Sequence, residues 1–169
     1  MPEEAPGIEA HRPGDVVRMR RALELARAAG DQGEAPVGAV VYEVASGRVV
    51  AEGGNLRETD ADPTAHAEIV ALRRAAEARG LWRLDGYGLA VTLEPCPMCA
   101  GALVNARIDE LVYGAADPKM GCVRSLATLC DDPRFNHRMA IRTGVLAEEC
   151  GAVLRDFFRA RRAAKSTQA

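Results

Sequence analysis

The stretch Val91-Thr92-Leu93-Glu94-Pro95-Cys96-Pro97-Met98-Cys99-Ala100-Gly101-Ala102 carries most of what this chain of 169 residues discloses about itself. Its first residues end an apolar run predicted as a strand over Gly88–Leu93. Glu94-Pro95 stops that strand, and Pro97 suits the first turn of a helix predicted over about 97–105. A strand that runs directly into a helix is the unit of an α/β sheet, and the flanking sequence repeats the alternation. Downstream, Glu110–Tyr113 and Met139–Thr143 read as strands, and a last helix spans about 147–162 with Cys150, Val153, Leu154, Phe157 and Phe158 on one face. Upstream, Val37–Glu43 and Arg48–Glu52 are strands joined by the turn residues Ala45-Ser46-Gly47. One helix is predicted over about 16–29 with Asp15 as N-cap, and another from a Thr64 cap to Arg79, closed by Gly80. Gly53–Pro63 reads as loop. This order predicts an α/β domain in which helices cover both faces of a mixed sheet.

The bulk numbers fit one such domain over 1–169, with flexible tails at 1–14 and 163–169. Net charge is −2, so the chain as a whole is no nucleic-acid-binding polycation, and any RNA contact must use a local patch. Arg155, Arg159, Arg161, Arg162 and Lys165 against the single acid Asp156 form the best candidate patch, although such a run is commonly a solvated helix face. No window approaches the ~18 apolar residues of a membrane helix, and the acidic N-terminus is unlike a secretory signal. A cytoplasmic protein without a membrane role is expected, in which five cysteines are not a disulfide framework.

Cys96 and Cys99 therefore need another explanation, and His66-Ala67-Glu68, 30 residues earlier, supplies one. Separately each piece is weak: a His-x-Glu at a helix start is commonly a surface pair, and CxxC is redox-active, metal-binding or incidental. Together they spell H-x-E…P-C-x-x-C, a known signature of zinc deaminases. The chemistry agrees with it. Two thiolates and an imidazole suit Zn²⁺, both groups lie at predicted helix N-termini that favour thiolate over thiol, and three protein ligands leave the fourth tetrahedral position open for chemistry. Glu68, two residues from His66, is turned out of the ligand set yet close enough to pass protons between water and substrate. A structural zinc would need a fourth ligand among Cys122, Cys130, Cys150, His11 or His137, none of which forms a second knuckle. A redox CxxC would not need the His-x-Glu partner, and inert buried cysteines would leave the flanking prolines unexplained.

The chain resembles the bacterial tRNA-specific adenosine deaminases, within the cytidine-deaminase-like zinc superfamily, over roughly residues 16–162. Ala35–Val40, Asp62–Glu68 and Val91–Ala102 carry the likeness and are shared more loosely by guanine and cytosine deaminases. Tyr113–Lys119, Phe135–Arg138 and Asp156–Arg159 point to the tRNA enzymes. The resemblance implies a three-layer α/β/α fold around a mixed five-stranded sheet, a homodimer, and hydrolysis of adenosine to inosine at the wobble position of a tRNA anticodon stem-loop. It implies His66, Cys96 and Cys99 as ligands of one Zn²⁺ per subunit and Glu68 as the proton shuttle. It also implies that Asn55 hydrogen-bonds the adenine, and that Asp117, Asn136 and His137 meet anticodon nucleotides. From local chemistry alone, Asn55 and Asp117 are ordinary turn residues and His137 a surface histidine. The chain departs from its relatives at Gly54, where they commonly carry a bulkier residue before the Asn, which is expected to loosen the pocket wall. Two competing functions remain at this point: a deaminase of a free base, and a non-catalytic RNA-binding or structural zinc protein with a closed metal site.

Overall fold

Along β1 (Gly38–Glu43), Val40 and Tyr42 face one side of the sheet while Ala39 and Val41 face the other, and this alternation sorts the helices into two layers. The computed structural model describes residues 8–167. β1 pairs antiparallel with β2 (Val49–Gly54) and with β3 (Tyr87–Leu93). Parallel pairing then adds β4 (Glu110–Ala115) and β5 (Ala140–Thr143), so the sheet order is β2-β1-β3-β4-β5. α1 (Pro13–Asp31) and α4 (Ala147–Ser166) cover one face, burying Met19, Leu23 and Cys150 against Val40, Tyr42 and Val112. α2 (Ala67–Arg79) and α3 (Pro97–Ala106) cover the other, burying Ala71, Leu72 and Leu103 against Val41, Leu89 and Val91. The result is the expected three-layer α/β/α arrangement.

Two glycines let the helices lie flush on the sheet. A Cβ at Gly38 would stand 2.0 Å from the Ala22 carbonyl oxygen of α1, and one at Gly53 would stand 2.5 Å from the Ala67 oxygen of α2. The second contact matters for function, because it fixes the start of α2 against the end of β2. Gly80 closes α2 in the left-handed conformation that its position after Arg79 predicts.

Several boundaries differ from the sequence reading for identifiable reasons. Asp15 is not the N-cap of α1. The helix starts at Pro13, and Asp15 accepts the Arg12 backbone N–H at 2.8 Å while its carboxylate lies buried against Arg142. Thr64 does not cap α2 either: its N–H and hydroxyl both donate to Asp62, and His66 takes the N-cap position. β2 continues through Gly53 and Gly54, which lack the side chains that would announce a strand. A 3-10 turn at Leu129–Asp131 had no signal. Part of each expected tail has regular partners among the described residues. Ile8 bridges Ile141, the Glu9 N–H donates to the Ile141 oxygen at 2.9 Å, and α4 is helical as far as Ser166. Residues 1–7 and 168–169 of those expected tails lie outside the described residues. Among the described residues, no helix is long and apolar enough to cross a membrane.

Candidate functional site

The C-terminal ends of β3 and β4, the end of β2 and the first turns of α2 and α3 converge on one cleft of about 1140 Å³. A crevice beyond the carboxyl ends of parallel strands is where α/β sheets place their ligands. His66 is the N-cap of α2 and Cys96 the N-cap of α3, so both stand where free backbone N–H groups and the helix dipole favour negative charge. The His66 Nδ1 lies 3.6 Å from the Sγ of Cys96 and 3.6 Å from the Sγ of Cys99. A tetrahedral zinc with ordinary Zn–S and Zn–N bond lengths would separate nitrogen from sulfur by roughly 3.6 Å. The donor set therefore fits that ion in number, chemistry and spacing. Among the described residues, no fourth His, Cys, Asp or Glu joins the cluster, as a closed structural site would require. Cys122 is buried behind the cleft, its N–H donating to the Pro95 oxygen, while Cys130 and Cys150 are packed into the two core layers.

Electrostatics separate the two thiols. Contact with the Cys99 thiol, followed by contact with His66, draws the Cys96 pKa down to about 4, and the same contact pushes Cys99 upward. Glu68 is only 4% exposed and follows His66 by two residues in the first turn of α2. Burial raises its carboxyl to about 7, against the pull of His66. It lines the cleft beside His66 and Cys96 but stands outside the cluster of potential metal donors.

The structure sorts the remaining expected residues. Asn55 lines the cleft at the end of β2, and its Oδ1 accepts the Arg57 N–H at 3.1 Å, so it is a turn residue and a cleft residue at once. Asp117 also lines the cleft, with its Oδ1 accepting from the backbone of Lys119 and Met120. Asn136 and His137 do not line it, and the His137 ring is anchored 2.6 Å from the Ile108 oxygen, at the far end of α3. At Gly54, a Cβ would meet the Ala29 Cβ and the Leu25 oxygen of α1, each at 3.4 Å, and neither of those residues lines the cleft. From the basic run, Arg155, Arg159 and Arg162 line the cleft together with Phe158, whereas Arg161 lies over the Phe157 ring. The partners of Arg155 and Arg159, Glu148 and Asp156, are exposed, so those two ion pairs hold their guanidiniums weakly. Glu34 and Glu94 are among the buried carboxylates that escaped the sequence reading. Glu34 accepts the backbone N–H groups of Glu58 and Thr59, and Glu94 accepts those of Asp117 and Val123–Ser125. No local pattern marks either one, because their partners are more than twenty residues away.

Residues 15–162 match a family model described as MafB19-like deaminase. The chain is 48% identical over 145 residues to the tRNA-specific adenosine deaminase of Bacillus subtilis (strain 168), spanning 86% of this chain and 89% of that protein. It is 48% identical over 154 residues to the tRNA-specific adenosine deaminase of Haemophilus influenzae, spanning 91% of this chain and 88% of that protein. The chain belongs to the tRNA-specific adenosine deaminase family. Solved structures agree with this placement. A protein from structural studies of A-to-I editing by tRNA:A34 deaminases superposes with a TM-score of 0.78 at 45% identity, over 82% of this chain and 99% of that one. A guanine deaminase from Nitrosomonas europaea follows with a TM-score of 0.76 at 28% identity, over 91% of this chain and 88% of that one. The fold is thus shared with free-base deaminases, and the higher identity lies with the tRNA enzymes.

Proposed function

We propose that this deaminase hydrolyses adenosine to inosine at the wobble position of a tRNA anticodon, as a cytoplasmic homodimer with one Zn²⁺ per subunit held by His66, Cys96 and Cys99. One observation carries the reading. A His-Cys-Cys donor set open on one side, a buried carboxylate and an arginine-lined helix share a single cleft, in a chain 48% identical to tRNA-specific adenosine deaminases.

Bound zinc supplies the Lewis acidity that makes water nucleophilic near neutral pH. Every other role falls to the chain. Glu68 takes a proton from the attacking water and delivers it to the ring nitrogen next to C6 of the adenine, where it stays in the product. The water oxygen bonds to C6. Glu68 then carries the second proton to the exocyclic nitrogen, the C6–N bond breaks and ammonia leaves, so C6 becomes the carbonyl of inosine. Asn55 orients the base: its Oδ1 is occupied by the Arg57 N–H, which leaves its amide N–H groups to donate to a purine nitrogen. Ala35, Val37 and Ala115 leave room for a planar ring beside the donor set. Arg155, Arg159 and Arg162 face the cleft as phosphate partners, and Asp117 lies on the wall where a flanking nucleotide would rest. An anticodon loop is single-stranded, so extruding its base costs less than opening a duplex.

Ammonia release tests the reading. With an anticodon stem-loop carrying a wobble adenosine, the zinc-loaded protein releases ammonia, and with free adenine, guanine or cytosine it does not. Turnover of a free base without turnover of the RNA would assign the cleft to a base deaminase instead.

A further inference from the structure

Glu94 follows the last residue of β3, just before the Cys96 turn, and it is 2% exposed. Its carboxylate is ringed by donors from one segment. Oε2 accepts the Asp117 N–H at 3.0 Å and the Ser125 hydroxyl at 2.5 Å. Oε1 accepts the N–H groups of Val123, Arg124 and Ser125 at 3.1, 2.7 and 2.9 Å. The segment between those anchors has no regular strand or helix of its own, yet Asp117, Pro118, Lys119 and Met120 form one wall of the cleft. Asp117 passes the order onward, since its own Oδ1 caps the N–H groups of Lys119 and Met120. Gly121 closes against the same carboxylate, where a Cβ would stand 2.3 Å from the Glu94 Cδ and 2.6 Å from the Asp117 oxygen.

We propose that Glu94 is a positioning residue for the RNA substrate: it holds the Asp117–Met120 wall in the shape that receives the nucleotides flanking the target base, and takes no part in proton transfer. The proposal rests on the reading of the cleft as the site of RNA deamination. Carboxylate chemistry suits the task. An ionised carboxylate offers only acceptor positions, so it satisfies a converging set of N–H and O–H donors that an amide of the same size cannot. Buried polar groups left without partners are costly, so the segment has one favoured arrangement while Glu94 is present. A preformed wall lowers the ordering cost of binding, which makes substrate affinity the quantity it controls.

Two variants test this from opposite sides. Glu94→Gln turns an N–H group toward the ring of donors, and Gly121→Ala pushes the segment off the carboxylate from the loop side. For each variant, zinc content, kcat and KM on an anticodon stem-loop, and amide hydrogen exchange are measured on the zinc-loaded protein. The expected result is zinc unchanged, KM raised about tenfold or more, kcat within about threefold, and faster exchange confined to 117–125. If Glu94→Gln does not fold, Gly121→Ala decides by the same readouts. An unchanged KM, or a fall in kcat or in zinc content at constant KM, would overturn the proposal. In the latter case Glu94 would serve the Cys96 turn. A wild-type protein inactive on the stem-loop would count against the function reading, a result separate from either variant outcome.

Discussion

Glu68 and His66 are two residues apart, and the first turn of α2 gives them different surroundings: His66 meets two sulfurs, and Glu68 sinks into the cleft floor. Glu68→Ala should therefore keep its zinc and lose deamination by about 10²–10⁴-fold, the range typical of a lost general acid–base group. Metal analysis beside a rate assay checks this, and loss of the metal together with the fold would make Glu68 structural. Cys96→Ala and Cys99→Ala should each lose zinc and activity together, because two remaining donors hold the ion poorly. Full zinc occupancy in either variant would require a different ligand set. At this scale the sequence was highly legible where function is written in local spacing, as in His-x-Glu and CxxC. It was illegible where one side chain serves distant backbone. Glu34 and Glu94 look like any exposed acid until folding brings residues 23 to 31 positions away onto their oxygens.

The helices show the same division. The apolar stripe of α1 and the closing Gly80 of α2 were readable because helix periodicity and left-handed caps are local signals. The starts of α1 and α2 were misread because Asp15 and Thr64, both good cap types, are engaged elsewhere by Arg142 and Asp62. For α4 the sequence showed a basic run but not its orientation. Arg155, Arg159 and Arg162 share the cleft face, Arg161 stacks on Phe157, and Lys165 is not among the residues lining the cleft. Deleting residues 159–169 therefore removes two cleft-facing guanidiniums and leaves Phe158 in place. Affinity for an anticodon stem-loop should fall, and the slope of log affinity against log salt should become shallower by about 1.4 to 1.8. Turnover at saturating RNA should change little. An affinity and slope equal to those of the full chain would make α4 a solvated end.

Across the whole molecule, the end of the sheet opposite the cleft is held by a buried charge cluster. Arg142, with no exposed side-chain surface, bonds Asp15 at 2.7 Å and Glu110 at 2.8 Å, and Tyr42, Glu9, Arg12 and Arg18 complete the group. It ties α1, β1, β4, β5 and the segment before α1 together, and nothing in the sequence indicated it because its members span residues 9 to 142. Burial alone would raise both carboxyls, but the Arg142 hydrogen bonds and charge, with help from the Arg12 N–H and Tyr42, hold Asp15 and Glu110 below their ordinary values. Folded values below unfolded ones mean a stabilisation that is complete above the unfolded pKa values and lost as pH falls through the folded ones. The cluster's contribution to stability should stay level from pH 7 to about 5 and fall below about 4.5. Arg142→Met removes the shared central cation, leaving Asp15 with Arg18 and Glu110 with Arg12, and should cost about 3 kcal/mol at pH 7. That deficit should narrow toward pH 4, as protonation neutralises the two carboxylates, and parallel pH profiles for variant and wild type would contradict this account of the cluster.

Whether the cleft deaminates one nucleotide of a tRNA anticodon is read from where in the RNA the product forms. An anticodon stem-loop with adenosine at the wobble position and at a second loop position is incubated with the zinc-loaded protein, digested and sequenced for inosine. Inosine is expected at the wobble position, with one ammonia released per inosine formed, and unreacted adenosine at the second position. Inosine spread equally over both positions, or intact RNA in a preparation that releases ammonia from free guanine, would contradict the proposed function.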